Sequence, residues 1–212
     1  MSVPETRGRS GRLPRSARRA QLMEAAQSVF VESGYHATAM DEIAERAQVS
    51  KPVLYQHFPG KLDLYLALLE THTSELPSLV QDALDSTTDN SERVAAAVGA
   101  FFDFVERKDA AFRMVFESDL INEPEVARRV LRASDKCAES VAAVVQEDTG
   151  LPHEQSKLIG VALVGMSQVV ARYWIARGDD IPREEASRIV STLGWRGLTG
   201  FPKQDESETP PA

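Results

Sequence analysis

The stretch VSKPVLYQHFPGK, residues 49–61, predicts a short helix whose two faces differ in an unusual way. Leu54 and Phe58 lie four residues apart, the spacing that puts two apolar side chains on one buried helix face. At about 100° per residue, the opposite face carries Pro52, Val53 and Gln56. This exposed face therefore presents apolar and amide side chains, whereas an ordinary solvated helix presents charge pairs.

Local signals fix both ends of this helix. Ser50 is a favourable N-cap residue, and Pro52 falls in the first turn, where its missing N–H costs little. Pro59 and Gly60 both break helices, so the helix should end near Phe58.

Two more helices should precede it. Apolar residues recur at helical spacing from Leu22 onward, which predicts a first helix over residues 16–33 with Gly34 as its C-terminal cap. Thr38 lies three residues before Asp41, a capping-box-like start for a second helix of about two turns. Residues 16–61 should therefore form a three-helix unit.

The remainder of the chain shows no period-two alternation, which predicts an all-α protein of about nine helices. The predicted helices after the first three cover residues 61–84 with a kink or break at Pro77, 91–108, a short segment containing Phe112 and Phe116, 122–150, 153–177 and 182–200. We expect residues 62–201 to form a second helical domain. Residues 202–212 have the composition of a disordered tail.

Charge is distributed unevenly along the chain. The net charge is −8, yet residues 1–61 carry 9 Lys and Arg against 6 Asp and Glu. Six arginines lie within residues 7–19, where no acidic residue occurs. We predict that residues 1–15 form a disordered basic arm suited to phosphate contacts. A tail that only aids solubility is the alternative.

The sequence also argues against several classes of protein. Cys137 is the single cysteine, so no intramolecular disulfide can form and an oxidising compartment is not expected. The longest apolar run, residues 158–166, is shorter than the roughly 20 residues that cross a bilayer, and no apolar N-terminal stretch forms a signal peptide. No catalytic motif or metal-ligand cluster is evident. We therefore expect a cytoplasmic protein that is not an enzyme and holds no metal or cofactor.

The chain resembles the tetracycline-repressor (TetR) family of bacterial transcription regulators. The first third carries the resemblance. The loop between the family's first two helices resembles GYHATAM (34–40), its helix-turn-helix resembles DEIAERAQVSKPVLYQHF (41–58), and the entry to its fourth helix resembles PGKLDLY (59–65). The rest of the chain agrees with the family in the number and length of its helices.

The resemblance implies a homodimer that binds a near-palindromic operator in double-stranded DNA and is released by a small-molecule effector, most often as a repressor. The third helix would enter the major groove, where its first residues read base edges. The candidate readers are Lys51, Pro52, Val53 and Gln56, and the candidate phosphate contacts are Thr38, Tyr55, His57 and Lys61. A solvated surface, packing for Tyr55 and capping for Thr38 are the alternatives.

The second domain should hold the effector and join the two chains. The candidate pocket residues are Phe101, Phe104, Phe112, Phe116, Arg172 and Tyr173, with ordinary core packing or exposure as the alternative. The candidate dimer contacts are Ile159, Leu163, Met166, Val170, Ile189 and Leu193, with Gly160 and Gly165 allowing close approach. A monomeric core is the alternative there. For the whole protein, the alternative is a helical small-molecule-binding protein or enzyme that has lost DNA binding.

Overall fold

The computed structural model describes residues 13–106, 120, 122–177 and 180–197. Within these residues eight helices follow one another: α1 (Arg15–Ala37), α2 (Met40–Arg46), α3 (Lys51–His57), α4 (Lys61–Asp85), α5 (Asn90–Glu106), α6 (Pro124–Thr149), α7 (His153–Arg177) and α8 (Arg183–Arg196). No strand occurs in the described ranges, and the all-α prediction is confirmed. The predicted helix around Phe112 and Phe116, most of the basic arm and the predicted tail lie outside the described residues.

The chain divides into two compact units, Met1–Leu68 and Leu69–Ala212. The first unit, which we call the head, contains α1–α3 and the start of α4. Tyr65 explains why this boundary falls beyond residue 61. Its ring packs edge-on against Phe30 and Tyr35 of α1, with centroid distances of 5.4 and 5.3 Å.

Three helices of the head share one apolar core. Its fully buried members include Leu22, Val29, Ile43, Leu54 and Phe58. Gly34 has φ 77°, in the left-handed region that glycine adopts without a steric cost, so the regular part of α1 ends there as predicted. Gln48 has φ 53° in the turn between α2 and α3.

The capping interactions predicted for Thr38 and Ser50 are partly wrong. The Thr38 hydroxyl does not cap α2, because it donates a 2.7 Å hydrogen bond back to the Gly34 carbonyl, and Ala39 occupies the N-cap position. Ser50 is the N-cap residue of α3 but makes no side-chain capping bond. At the start of α5, the Asp89 carboxylate accepts the backbone N–H of Glu92 at 3.0 Å.

Of the kink or break predicted at Pro77, the break does not occur, since α4 continues through this residue. A proline removes one backbone hydrogen bond and crowds the preceding turn. Leu76 and Val80 beside it are buried, with 2% and 0% exposure. Packing of these neighbours offsets the local cost of the proline.

In the second unit, α6 and α7 pack closely. A Cβ at Gly160 of α7 would lie 2.3 Å from the carbonyl oxygen of Ala138 in α6. The close approach that the sequence suggests for this glycine is therefore made within the chain. Burial raises the pKa of Cys137 on α6 to about 12, so this thiol acts as a small apolar core group.

Candidate nucleic-acid interface and ligand pocket

The short helix α3 presents the face that the sequence predicts. Leu54 and Phe58 are buried, with 0% and 2% exposure. The Arg19 guanidinium of α1 lies 4.3 Å from the centroid of the Phe58 ring, which fixes this end of α3 against α1. On the outer side, Lys51, Pro52, Tyr55 and Gln56 are exposed, and Val53 and His57 are half-buried.

The structure brings α1 to the edge of this face and forms a polar concavity of about 720 Å³. It is lined by Leu13, Arg15, Arg18, Gln48, Val49, Ser50, Val53, Gln56 and His57. Arg15 begins α1, although the sequence places it at the end of a disordered arm. Arg18 is oriented by a 2.8 Å bond to Gln21, whose amide donates to the Ala47 carbonyl at 2.9 Å. Two arginines therefore extend the surface of α3.

The pKa of His57 in this concavity lies below its ordinary value. Partial burial lowers the pKa of His57, and the neighbouring charges of Arg15, Arg19 and Arg18 lower it further. The imidazole is therefore neutral near pH 7 and offers an N–H donor to an incoming anion.

Lys51, the first residue of α3, already has a partner. Its ammonium lies 2.7 Å from Oδ1 and 3.0 Å from Oδ2 of Asp41, in the first turn of α2. This contact raises the pKa of Lys51, so the side chain stays charged.

Lys61 is held by backbone carbonyls at the end of α1. Its ammonium donates to Tyr35 and Thr38 at 2.7 Å each and lies 3.4 Å from the His36 oxygen. It also lies 4.4 Å from the centroid of the Tyr35 ring. These contacts use the three N–H donors of the ammonium, so the predicted phosphate contact would need this arrangement to open.

A second candidate site is an apolar pocket of about 280 Å³ in the unit Leu69–Ala212. Its walls are formed by Leu84, Asn90, Arg93, Val94, Ala97, Val98, Phe101, Val141, Val144, Val145, Asp148, Thr149, Leu163, Val164, Ser167 and Trp195. Among the predicted ligand residues, Phe101 lines this pocket. Phe104 is buried elsewhere in the core, Arg172 is half-buried away from the lining, and Tyr173 is exposed. Phe112 and Phe116 lie outside the described residues.

One end of the pocket is polar. Arg93 donates to the Thr87 carbonyl at 2.9 Å and to Asn90 Oδ1 at 3.2 Å. Its guanidinium also lies 3.7 Å from the Asp148 carboxylate. The sequence reasoning missed these residues, although an arginine beside the apolar stripe of α5 was a possible signal.

The helix α7 exposes apolar side chains along much of its length. Leu158 and Val169 are 72% and 56% exposed, and Ile159 is 38% exposed. By length and composition α7 is long and apolar enough to cross a membrane. Only 22% of its most apolar window is buried among the described residues, so most of this window is exposed in a single chain. Of the other predicted dimer contacts, Leu193 is exposed and Leu163, Met166, Val170 and Ile189 are half-buried. Leu163 also lines the pocket.

Comparison with known proteins identifies the family. Residues 22–68 match the model described as bacterial regulatory proteins, tetR family, and residues 90–197 match the tetracyclin repressor-like, C-terminal domain. The chain belongs to the TetR family. It is 47% identical over 194 residues to the HTH-type transcriptional activator FasR of Mycolicibacterium smegmatis, covering 92% of this chain and 89% of FasR.

Solved structures of other TetR-like regulators share the fold. A TetR-like regulator from Rhodococcus sp. RHA1 has a TM-score of 0.68 at 30% identity, covering 90% of this chain and 100% of the other. FadR of Bacillus subtilis, solved in complex with stearoyl-CoA, has a TM-score of 0.68 at 18% identity, covering 84% of this chain and 98% of FadR. The protein is thus a ligand-responsive, DNA-binding transcriptional regulator of the TetR family. FasR is named an activator, whereas the sequence predicts a repressor.

Proposed function

We propose that this regulator binds a near-palindromic operator as a homodimer in the cytoplasm and that α3 of each chain enters the major groove. The observation that carries the proposal is the outer face of α3, which continues into the concavity holding Arg15, Arg18 and His57. Helix-turn-helix proteins place such a face against base edges and the flanking groups against phosphates.

The side chains of α3 suit particular base edges. The Lys51 ammonium fits guanine O6 and N7, and the Gln56 amide fits adenine N6 and N7. The carbons of Pro52 and Val53 fit a thymine methyl group. These four residues are the proposed readers of the operator.

Phosphate contacts should come from the edge of the same surface. Arg15 and Arg18 supply charge, and Tyr55 and His57 supply O–H and N–H donors. The hydroxyl of Thr38 is already donated to Gly34, so Thr38 would contact phosphate through its backbone N–H. Lys61 supports this surface by holding the end of α1 and the start of α4 together.

The exposed apolar face of α7 supports dimerisation. An unpaired face of this kind marks an interaction surface, and α7 and α8 of two chains would bury it as a four-helix contact. The contacts would include Ile159, Leu163, Met166, Val170, Ile189 and Leu193. A dimer also presents two α3 helices to two half-sites.

The pocket suits an effector with an aliphatic portion and a polar end. Its apolar walls would bury the hydrocarbon, and Arg93 offers a cation at one end.

FadR of B. subtilis binds stearoyl-CoA, which has this chemistry, so stearoyl-CoA is a suitable first probe. If this pocket is the site, stearoyl-CoA should change the fluorescence of Trp195, and Trp195→Phe should remove the change while Trp174 remains.

Selection of duplexes from a random DNA pool tests the proposed function. The protein should recover an inverted repeat whose half-sites are separated by about one helical turn or a multiple of it. Recovery of unrelated duplexes without a shared motif would favour the alternative, a helical ligand-binding protein that has lost sequence-specific DNA binding.

A further inference from the structure

We propose that Asp41 is a specificity-determining residue that keeps Lys51 from binding DNA phosphates indiscriminately. The inference rests on the proposed role of α3 as the DNA-reading helix. Asp41 belongs to α2 and is not itself among the proposed readers. Its carboxylate acts through the ion pair with Lys51.

The geometry places one carboxylate directly against one reader. Lys51 is the first residue of α3, and both Asp41 oxygens lie within 3.0 Å of its ammonium. The Lys51 and Asp41 side chains are 55% and 67% exposed. The carboxylate therefore lies at the same surface as the lysine that it neutralises.

The exposure of this pair makes it reversible. Exposed ion pairs contribute little to folding, because water screens both charges and two long side chains lose freedom. Breaking the pair on DNA is correspondingly easy. When the pair breaks, Lys51 loses one weak contact and gains a contact with a phosphate or a base.

Operator and unrelated DNA offer different contacts. On unrelated DNA, affinity comes almost entirely from neutralised phosphates, and a lysine already paired with a carboxylate releases no additional counterion. On an operator, guanine O6 and N7 accept hydrogen bonds from the ammonium, and these bonds compensate for the loss of the ion pair. On unrelated DNA the carboxylate keeps its ion pair with Lys51, so the pair adds no net positive charge near the phosphates. Asp41 therefore lowers the affinity for unrelated DNA more than the affinity for the operator.

Another exposed ion pair of the head supplies a matched control. Arg46 of α2 donates to both oxygens of Glu32 in α1, at 2.8 and 2.7 Å. Glu32→Gln removes the same charge from the head as Asp41→Asn. It leaves the contact between Asp41 and Lys51 in place.

The test compares the full-length wild type with Asp41→Asn, Glu32→Gln, Lys51→Met and the double variant Asp41→Asn/Lys51→Met. Each protein is titrated with a duplex recovered by selection and with a scrambled duplex of equal length, at several salt concentrations. Thermal unfolding confirms that each variant folds. Asp41→Asn should steepen the salt dependence on scrambled DNA by roughly 0.9 in the log–log slope, because one more lysine meets phosphate.

Asp41→Asn should also lower the ratio of operator to scrambled affinity by roughly twofold to fivefold, the range of one exposed charge contact. Glu32→Gln should leave the ratio unchanged, and Lys51→Met should remove the effect of Asp41→Asn. Equal gains on both duplexes, or the same change in Glu32→Gln, would overturn the inference while leaving the proposed function intact. Failure of the wild type to prefer any duplex would overturn both.

Discussion

At the residue scale, several side chains that are suited to DNA contact are already engaged within the protein. The ammonium of Lys61 is the clearest case, since the carbonyls it binds belong to Tyr35 and Thr38, more than twenty positions earlier in the chain. The sequence predicts a lysine beside the turn at Gly60. It cannot predict that partnership, because the contact forms only when α1 and α4 pack together.

This arrangement predicts that Lys61→Met destabilises the fold of the head. Removing hydrogen bonds from a charged donor to part-buried carbonyls should cost about 1.5–3 kcal/mol in the free energy of unfolding. Urea denaturation measures the change, and Lys51→Met, which removes an exposed ion pair, is the control with little effect. If Lys61→Met is as stable as the wild type and only weakens the salt dependence of DNA binding, Lys61 contacts phosphate instead.

His57 should make DNA binding depend on pH. In the free protein its pKa is lowered by partial burial and by the nearby arginines, so His57 is neutral near pH 7. A phosphate beside the ring would favour the imidazolium and raise this pKa in the complex. The complex then binds more protons than the free protein, so affinity rises as pH falls from about 7 through the ordinary histidine range.

Anisotropy titrations between about pH 7.5 and pH 5.5 bracket the ordinary histidine pKa and measure this linkage. His57→Gln keeps a hydrogen-bond donor and should remove most of the pH dependence. If the wild type and His57→Gln respond to pH in the same way, His57 does not contact phosphate.

At the element scale, the short helices of the head follow from their own sequence. Gly34 and Pro59 mark where α1 and α3 stop, and Pro52 falls in the first turn of α3. For the long helices of the second unit, the sequence predicts the ends but not which helices pack against one another. The face of α7 that meets α6 contains Gly160, and the apolar sequence of α7 does not show which of its glycines lies against the backbone of another helix.

Two glycines of α7 should therefore respond in opposite ways to a methyl group. In Gly160→Ala the added Cβ meets the Ala138 carbonyl oxygen, so the helices must shift at a cost of about 1–3 kcal/mol. At Gly165 an added Cβ meets no atom within 4 Å outside the adjoining part of its own helix, among the residues that the structure describes, and alanine favours the helix by about 0.5–1 kcal/mol. Thermal unfolding should show a lower Tm for Gly160→Ala only. A Gly160→Ala protein as stable as Gly165→Ala would contradict the close packing of α6 and α7.

At the scale of the whole molecule, the sequence predicts the family better than the pocket. The resemblance rests on 34–65, a contiguous run that includes the helix-turn-helix. The pocket, in contrast, is the space left between helices that are distant in sequence. Phe101 lines it, while Phe104 is core and Tyr173 is exposed, because the register of each helix decides which aromatic ring faces the gap.

The exposed apolar face of α7 gives a prediction about assembly. Val169→Glu should leave the fold of a single chain intact, because Val169 is 56% exposed, but should convert dimer to monomer by placing a charge in the contact. Leu13→Glu in the head, where the leucine is 45% exposed, is the control and should remain dimeric. Light scattering coupled to gel filtration gives the mass of each. A Val169→Glu dimer as stable as the wild type would place the interface elsewhere.

The central claim is that the outer face of α3 reads DNA sequence. Its most direct test is the affinity of the wild type and Gln56→Ala for the selected duplex and for each of its single base-pair variants. We predict that Gln56→Ala loses about 1–3 kcal/mol of preference at one symmetric pair of positions and keeps its affinity for unrelated DNA. Identical preference profiles for the two proteins, with or without a uniform loss of affinity, would contradict the assignment of this face to sequence reading.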